Sequence, residues 1–326
     1  MDIAPWSVTV LLPILFVTSA RNAVPAGRSA ATTVAVMQNE SPRQVLHIGG
    51  GEIQVNIRLN GSGLRTEDVI AWVQRAADAV TVYYGTFPVQ HARVNVVQEH
   101  GDGQEIRGTT WGDVDDVQGL TRMRLGAGVT NADLHADWTM THELVHMALA
   151  SLPDQSHWLE EGLATYVEPI ARAQAGQLTA KQVWEGVVQG MPNGEPMPGD
   201  QGLDRTHTWG RTYWGGAMFC LVADVKIREA THNREGLQDA LRAIVAAGAT
   251  INTEWPVKRV LQVGDKATGT TVLTDLYNNW KDNPVSLDLN QLWRQLGVRD
   301  GPNGITFDSG APLASIRTAI TERPSK

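Results

Sequence analysis

The sequence predicts an α+β fold, with a mixed sheet and helices in its first half and a mainly helical region after it. Three observations carry this reading. Short runs of alternating apolar and polar residues cluster before residue 126. From Asn131 onward the apolar residues recur at helical spacing instead. With 326 residues, 42% of them hydrophobic, the chain can bury a substantial core, and its single cysteine can form no intramolecular disulfide.

The elements follow in chain order. Residues 6–19 form an apolar run that is too short and too Pro-broken to span a membrane. The run is similar to a secretory h-region, and Ser19, Ala20 and Ala23 supply a small-residue cleavage region, although Asp2 and the lack of Lys or Arg ahead of it depart from the pattern. Residues 1–23 are therefore expected to be a signal peptide of an exported protein, with a cytoplasmic chain as the alternative. Residues 24–43, rich in Ala, Ser, Thr and Pro, are expected to be a flexible lead-in.

Residues 45–48 and 52–59 alternate like strands across the turn Gly49-Gly50-Gly51. That glycine run lacks the lysine and serine of a phosphate loop, which argues against nucleotide binding. A helix is expected over 66–84, a strand over 92–98 and a further strand over 120–125. One long helix is expected over 131–150. Small polar residues open it, Leu134, Trp138, Leu144, Val145, Ala148 and Leu149 mark its apolar positions, and Pro153 stops it. A second helix starts behind Ser156, with Trp158, Leu159, Leu163, Tyr166 and Val167 turned to a core. Helical patterns recur near 179–189, 211–230, 235–247, 270–282 and 288–296, and the Pro/Gly-rich stretch 190–202 reads as a loop that walls a cleft. No internal repeat is visible. The expected organisation is a sheet-bearing part over 44–170 and a helical part over 171–326 that completes the cleft.

The chemistry is concentrated in His142-Glu143-Leu144-Val145-His146. On a helix, the H-E-x-x-H spacing puts two imidazoles one turn apart on the same face, where both reach one zinc ion at about 2.0–2.1 Å. Glu143 then lies toward the open side of the metal, placed to accept a proton from water. A third ligand must come from elsewhere. The second helix offers Glu161, which lies off its apolar stripe, and the adjacent Glu160 competes with it. One zinc ion per chain and a hydrolytic reaction are the expectations. Asp133, His135 and Asp137, upstream on the same helix, can orient a ligand imidazole or simply supply the polarity of a helix start.

Together, His142–His146 and Trp158-Leu159-Glu160-Glu161-Gly162-Leu163-Ala164-Thr165-Tyr166 resemble the gluzincin clan of zinc metallopeptidases. The clan includes thermolysin, aminopeptidase N and the glycyl-aminopeptidase-like enzymes, and the bacterial peptidase MA-like proteins are the most similar in character. The resemblance implies a thermolysin-like zincin catalytic domain that hydrolyses peptide bonds. In aminopeptidase-like members the ligand glutamate directly precedes a glycine, which selects Glu161 and leaves Glu160 at the variable position. The spacer between His146 and Glu161 is shorter than in thermolysin or aminopeptidase N, so the turn between the two helices must be tight.

A third match is Trp209-Gly210-Arg211-Thr212-Tyr213-Trp214-Gly215-Gly216-Ala217, similar to the Y-x-K-G-A segment of these families, with Gly215 in place of the lysine. The resemblance gives Tyr213 the role of a hydroxyl donor to the developing oxyanion. Arg211 and His207, just upstream, are weaker candidates for the oxyanion or a substrate carboxylate. It also implies that an edge strand ahead of the zinc helix, expected at 120–125, aligns extended substrate. No G-x-M-E-N-like segment stands between residues 100 and 130, so peptide hydrolysis is implied without aminopeptidase specificity. The alternative is a zinc-containing domain of the same fold that binds peptides without cutting them, against which the intact Glu143 speaks.

Charge narrows the partners. A net charge of −8 with the signs scattered argues against nucleic acid, which calls for clustered Lys and Arg. A peptide or protein substrate fits, and no membrane span is expected. Cys220 lies in an apolar helical run and reads as a buried thiol.

Overall fold

The computed structural model describes residues 44–61 and 63–323. The expected signal peptide and lead-in over 1–43 lie outside the described residues. Among the described residues no helix is long and apolar enough to cross a membrane.

A five-stranded sheet is built from β1 (Gln44–Ile48), β2 (Gly51–Arg58), β3 (His91–Gln98), β4 (Ile106–Val114) and β5 (Val117–Leu125), in the order β1-β2-β3-β5-β4. β2, β3 and β5 run parallel, and the outer strands β1 and β4 are antiparallel to their neighbours. The alternation of β2 buries Ile53, Val55 and Ile57 on one face. Helix α1 (Thr66–Tyr84) packs there through Val69, Trp72, Val73, Ala76 and Val80. Gly85, at φ 82°, ends α1 in the left-handed conformation that a residue with a Cβ disfavours.

The strand over 120–125 is present as part of β5, but it is not an edge. β4, which periodicity did not reveal, covers it and is the outer strand itself. The reason is chemical. The half-buried face of β4 is Ile106, Gly108, Thr110, Gly112 and Val114, and its middle is small because other groups press against it. A Cβ on Gly108 would lie 2.4 Å from Glu143 Cγ, and one on Gly112 would lie 2.0 Å from the Ile251 carbonyl oxygen. A strand that faces a carboxylate and a backbone carries no apolar stripe.

The long helix expected over 131–150 is broken. α2 (Asn131–Ala136) ends at Asp137, whose ψ of 140° is extended, and α3 (Thr139–Val145) starts anew. Asp137 causes the restart by accepting from the N–H groups of Thr139 and Met140, while its Oδ2 also takes the Trp72 indole N–H at 3.0 Å. The break turns Trp138 outward, 53% exposed, so it is not a core position. A 3-10 turn over His146–Ala148 ends the helix well before Pro153. Ser151 is drawn into an extended pairing with the 253–255 segment, which competes with the helix for its backbone groups.

Beyond a short 3-10 turn at Asp154–Ser156 come α4 (His157–Gln174), α5 (Ala180–Gly190), a π-helical turn over Gly210–Gly215, α6 (Gly216–Ala230) and α7 (Leu237–Ala246). The chain closes with α8 (Val257–Thr268), α9 (Val272–Trp280), α10 (Leu289–Leu296), a ribbon of β6 (Val298–Arg299) and β7 (Thr306–Phe307), and α11 (Ala314–Thr321). The core positions expected on α4 are all buried, and Cys220 is a buried free thiol. Helices α8 and α11 lie outside the expected helical patterns, although α8 buries Val257, Val260 and Leu261 at helical spacing. In α8 the buried face includes Gly264, Asp265 and Thr268, and Asp265 caps α9 by accepting from Leu273 and Thr274 N–H.

α4 and the start of α6 cross with almost no side chain between them. A Cβ on Gly162 would sit 2.3 Å from the Gly216 backbone, and one on Gly216 would sit 2.2 Å from the Trp158 carbonyl oxygen. Backbone cannot yield as a flexible side chain would. Gly162→Ala is therefore expected to destabilise the fold by at least about 1–3 kcal/mol through overpacking. Chemical denaturation measures this, and an unchanged midpoint would contradict the close crossing.

Candidate active site

α3 presents His142 and Glu143, and His146 opens the 3-10 turn behind it. The two imidazole rings lie edge to face with centroids 4.9 Å apart. From α4, Glu161 Oε2 comes within 3.1 Å of His142 Nε2 and 3.5 Å of His146 Nε2. Zinc with tetrahedral ligands at about 2.0–2.1 Å holds its donors about 3.3 Å apart, so this set of two imidazoles and one carboxylate suits that ion. Among the described residues it is the one cluster of metal-ligating side chains of this kind.

The two adjacent glutamates of α4 are sorted by their partners. Glu160 Oε1 accepts the Leu152 N–H at 2.9 Å and its Oε2 lies 2.9 Å from His157 Nδ1, so it fastens the turn between the helices. Glu161 turns to the imidazole pair. His157 bridges them, its Nε2 standing 3.3 Å from Glu161 Oε1. Sequence reasoning passed over His157, although its spacing of three and four residues from the two glutamates is the signal for such a bridge.

Burial opposes a charge on His146, but Glu161, with help from Glu143 and Glu160, outweighs it and raises the imidazole to about 9. Burial likewise would raise the Glu161 carboxyl, yet the His146 charge and hydrogen bonds from both imidazoles hold it well below the usual carboxylate range.

Glu143 is buried, and its Oε2 accepts from the Thr110 hydroxyl at 2.7 Å. Neither Thr110 nor Gly108 stood out in the sequence, because the polar and small residues of β4 carry no motif. Tyr213 lies in the π-helical turn, an irregularity frequent at functional sites. Its ring stacks on His142 at 6.2 Å and 20°, and Trp209 continues the stack. Burial first, then the negative charges of Glu161 and Glu143, raise the phenol above its ordinary value, so the hydroxyl stays protonated at neutral pH.

Of the weaker candidates, Arg211, Asp133 and Asp137 are engaged by other partners. Arg211 is buried and donates through Nη1 to the Gly194 carbonyl, with Nε 4.0 Å from Asp200 Oδ2, so it pins the 190–202 loop. His207 is exposed. Asp133 closes a cap with Thr130 and Asp137 restarts α3, so neither orients an imidazole. Helix-start polarity accounts for both.

Among solved structures the chain is similar to an aminopeptidase N family protein from Idiomarina loihiensis, with a TM-score of 0.60 and 13% identity over 79% of this chain and 49% of that one. It is also similar to the M1 zinc metallopeptidase from Deinococcus radiodurans, with a TM-score of 0.49 and 15% identity over 76% of this chain and 53% of that one. The chain spans about half the length of these structures. No protein-family model and no curated protein matches the chain. The fold is therefore the gluzincin-like one, an α+β zincin architecture in which a mixed sheet is followed by a helical region.

The sorting of the glutamates has a direct test. Glu161→Gln is expected to lose most bound zinc, and Glu160→Gln to retain it, when metal content is measured after purification and dialysis. Retention in the first with loss in the second would reverse the assignment.

Proposed function

We propose that this chain is a zinc-dependent peptidase that holds one zinc ion through His142, His146 and Glu161. The observation that carries the reading is the convergence of two imidazoles and a carboxylate at 3.1 and 3.5 Å beside the buried carboxylate of Glu143. A zinc ion held there supplies a Lewis acid and a water of lowered pKa.

The residues of the chain do the rest. Glu143 takes the proton of the attacking water and passes it to the leaving amine. Tyr213, with its proton retained, donates to the charge that grows on the carbonyl oxygen, a bond that strengthens as the charge develops. The outer strand β4, rather than β5, lies beside Glu143 and accepts an extended peptide by main-chain pairing. An apolar start at residues 6–19 goes with an exported enzyme acting on peptides or proteins outside the cytoplasm.

Cleavage of a diverse peptide mixture by the zinc-loaded protein tests the reading. Wild type is expected to cleave, and Glu143→Gln to keep its zinc while losing about 10²–10⁴ in rate. A zinc-loaded wild type that binds peptides and leaves them intact would favour a binding domain of the same fold.

Tyr213→Phe is expected to lower kcat by about 10²–10³ with little change in KM, because one oxyanion donor is lost and the ring is kept. Steady-state kinetics on a cleaved peptide read this, and unchanged turnover would reduce Tyr213 to a packing residue.

Metal uptake should depend on pH with a definite sign. The metal-free His146, raised to about 9, is protonated at pH 7, and zinc must displace that proton. Affinity is thus expected to rise with pH between about 6 and 8, by roughly tenfold per unit. Competition with a zinc chelator of known affinity measures it, and a flat profile would contradict the exchange.

A further inference from the structure

The carboxylate of Glu143 has a fixed neighbour that the chemistry above does not use. Thr110 Oγ1 stands 2.7 Å from Glu143 Oε2 and 3.1 Å from the Glu143 carbonyl oxygen. It also stands 2.9 Å from Thr121 Oγ1, the residue directly across the β4–β5 ladder.

Counting protons gives the direction. Each hydroxyl has one proton to donate, and an ionised carboxylate only accepts. Thr110 therefore donates toward Glu143, and the shorter distance and the charge favour Oε2 over the carbonyl. Thr121 in turn donates to Thr110 Oγ1. Thr121 is wholly buried, so no bulk water competes for it. The sheet thus reaches the helix through a relay of two hydroxyls that ends on one oxygen of one carboxylate.

A second, independent feature shapes the same place. Gly108 lies two residues before Thr110, on the same face of β4. A Cβ there would come within 2.4 Å of Glu143 Cγ and 2.7 Å of Oε1. The strand therefore makes a socket, open where Gly108 has no side chain and hydrogen-bonded where Thr110 does.

We propose that Thr110, held by Thr121, is a positioning residue for Glu143. It fixes Oε2 against the sheet and so sets the orientation of the carboxylate that takes the proton of the attacking water. A glutamate side chain left alone samples several rotamers. One already held in the reactive geometry avoids that loss at each turnover. The inference rests on the reading of Glu143 as general base.

Steady-state kinetics and zinc content of the full chain test it, using Thr110→Val, Thr110→Ser and Thr121→Val. Valine keeps the branched shape suited to a strand and removes only the hydroxyl. Thr110→Val is expected to lower kcat by roughly 10- to 100-fold, the scale of one hydrogen bond to a charged group, with KM and zinc content unchanged. Thr110→Ser should restore most of the rate, and Thr121→Val should lower it in the same direction by less. In a Glu143→Gln background, Thr110→Val should add no further loss, because the carboxylate it positions is gone.

A Thr110→Val enzyme with wild-type kcat overturns the proposal, as does a loss that serine does not restore or one that persists in full beside Glu143→Gln. Should the zinc-loaded wild type cleave no peptide, the proposed function falls and takes this inference with it. Should the wild type and Thr110→Val cleave alike, this inference alone falls.

Discussion

The site depends first on two glycines. Gly162 and Gly216 let α4 and the start of α6 meet backbone to backbone, closer than any side chain would permit. Glu161 directly precedes the first glycine, and Tyr213 lies three residues before the second. The carboxylate beside the imidazole pair and the phenol stacked on His142 are therefore tied to one contact. Because packed backbone does not deform gradually, that contact sets their separation more firmly than side-chain packing could. The same glycine makes sense of the Glu-Gly pair in Trp158–Leu163, since the residue after Glu161 must be small for the second helix to arrive.

Crowding three glutamates into one small region is costly unless each has its own partners. The structure separates them by bonding. Glu160 is spent on the Leu152 N–H and His157, Glu161 on His142 and His146, and Glu143 on Thr110. Each engagement comes from a different element: the turn after α3, the histidine pair and the outer strand. A carboxylate bound in this way keeps its direction, so neighbouring groups of identical chemistry can take up different tasks.

Much of this was legible in the sequence, and the gaps have physical causes. Period-two and helical spacing located β1, β2, β3, α1, α4 and most later helices, because those elements bury an apolar face. Where an element faces polar groups or backbone, periodicity fades. β4 packs Gly108 and Thr110 on a carboxylate and Gly112 on a carbonyl. The break at Asp137 was hidden for a related reason. Its carboxylate gains two backbone N–H groups and the Trp72 indole, a tertiary bond 65 residues away that no local window contains.

By itself the sequence determined the α+β class and the identity of the groups that gather around one point. His142, Glu143, His146, the Glu160–Glu161 pair and Tyr213 all followed from spacing or from resemblance, since helical geometry is local and side-chain chemistry belongs to the residue. Tertiary structure decided which of two adjacent glutamates turns inward, that β4 rather than β5 is the outer strand, and that Thr110 and His157 stand against the buried carboxylates. The sorting of the glutamates and the Thr110 contact depend on partners brought from 8 to 33 residues away. Choosing among chemically equal groups requires knowing which hydrogen-bond partners arrive, and only the folded chain supplies them.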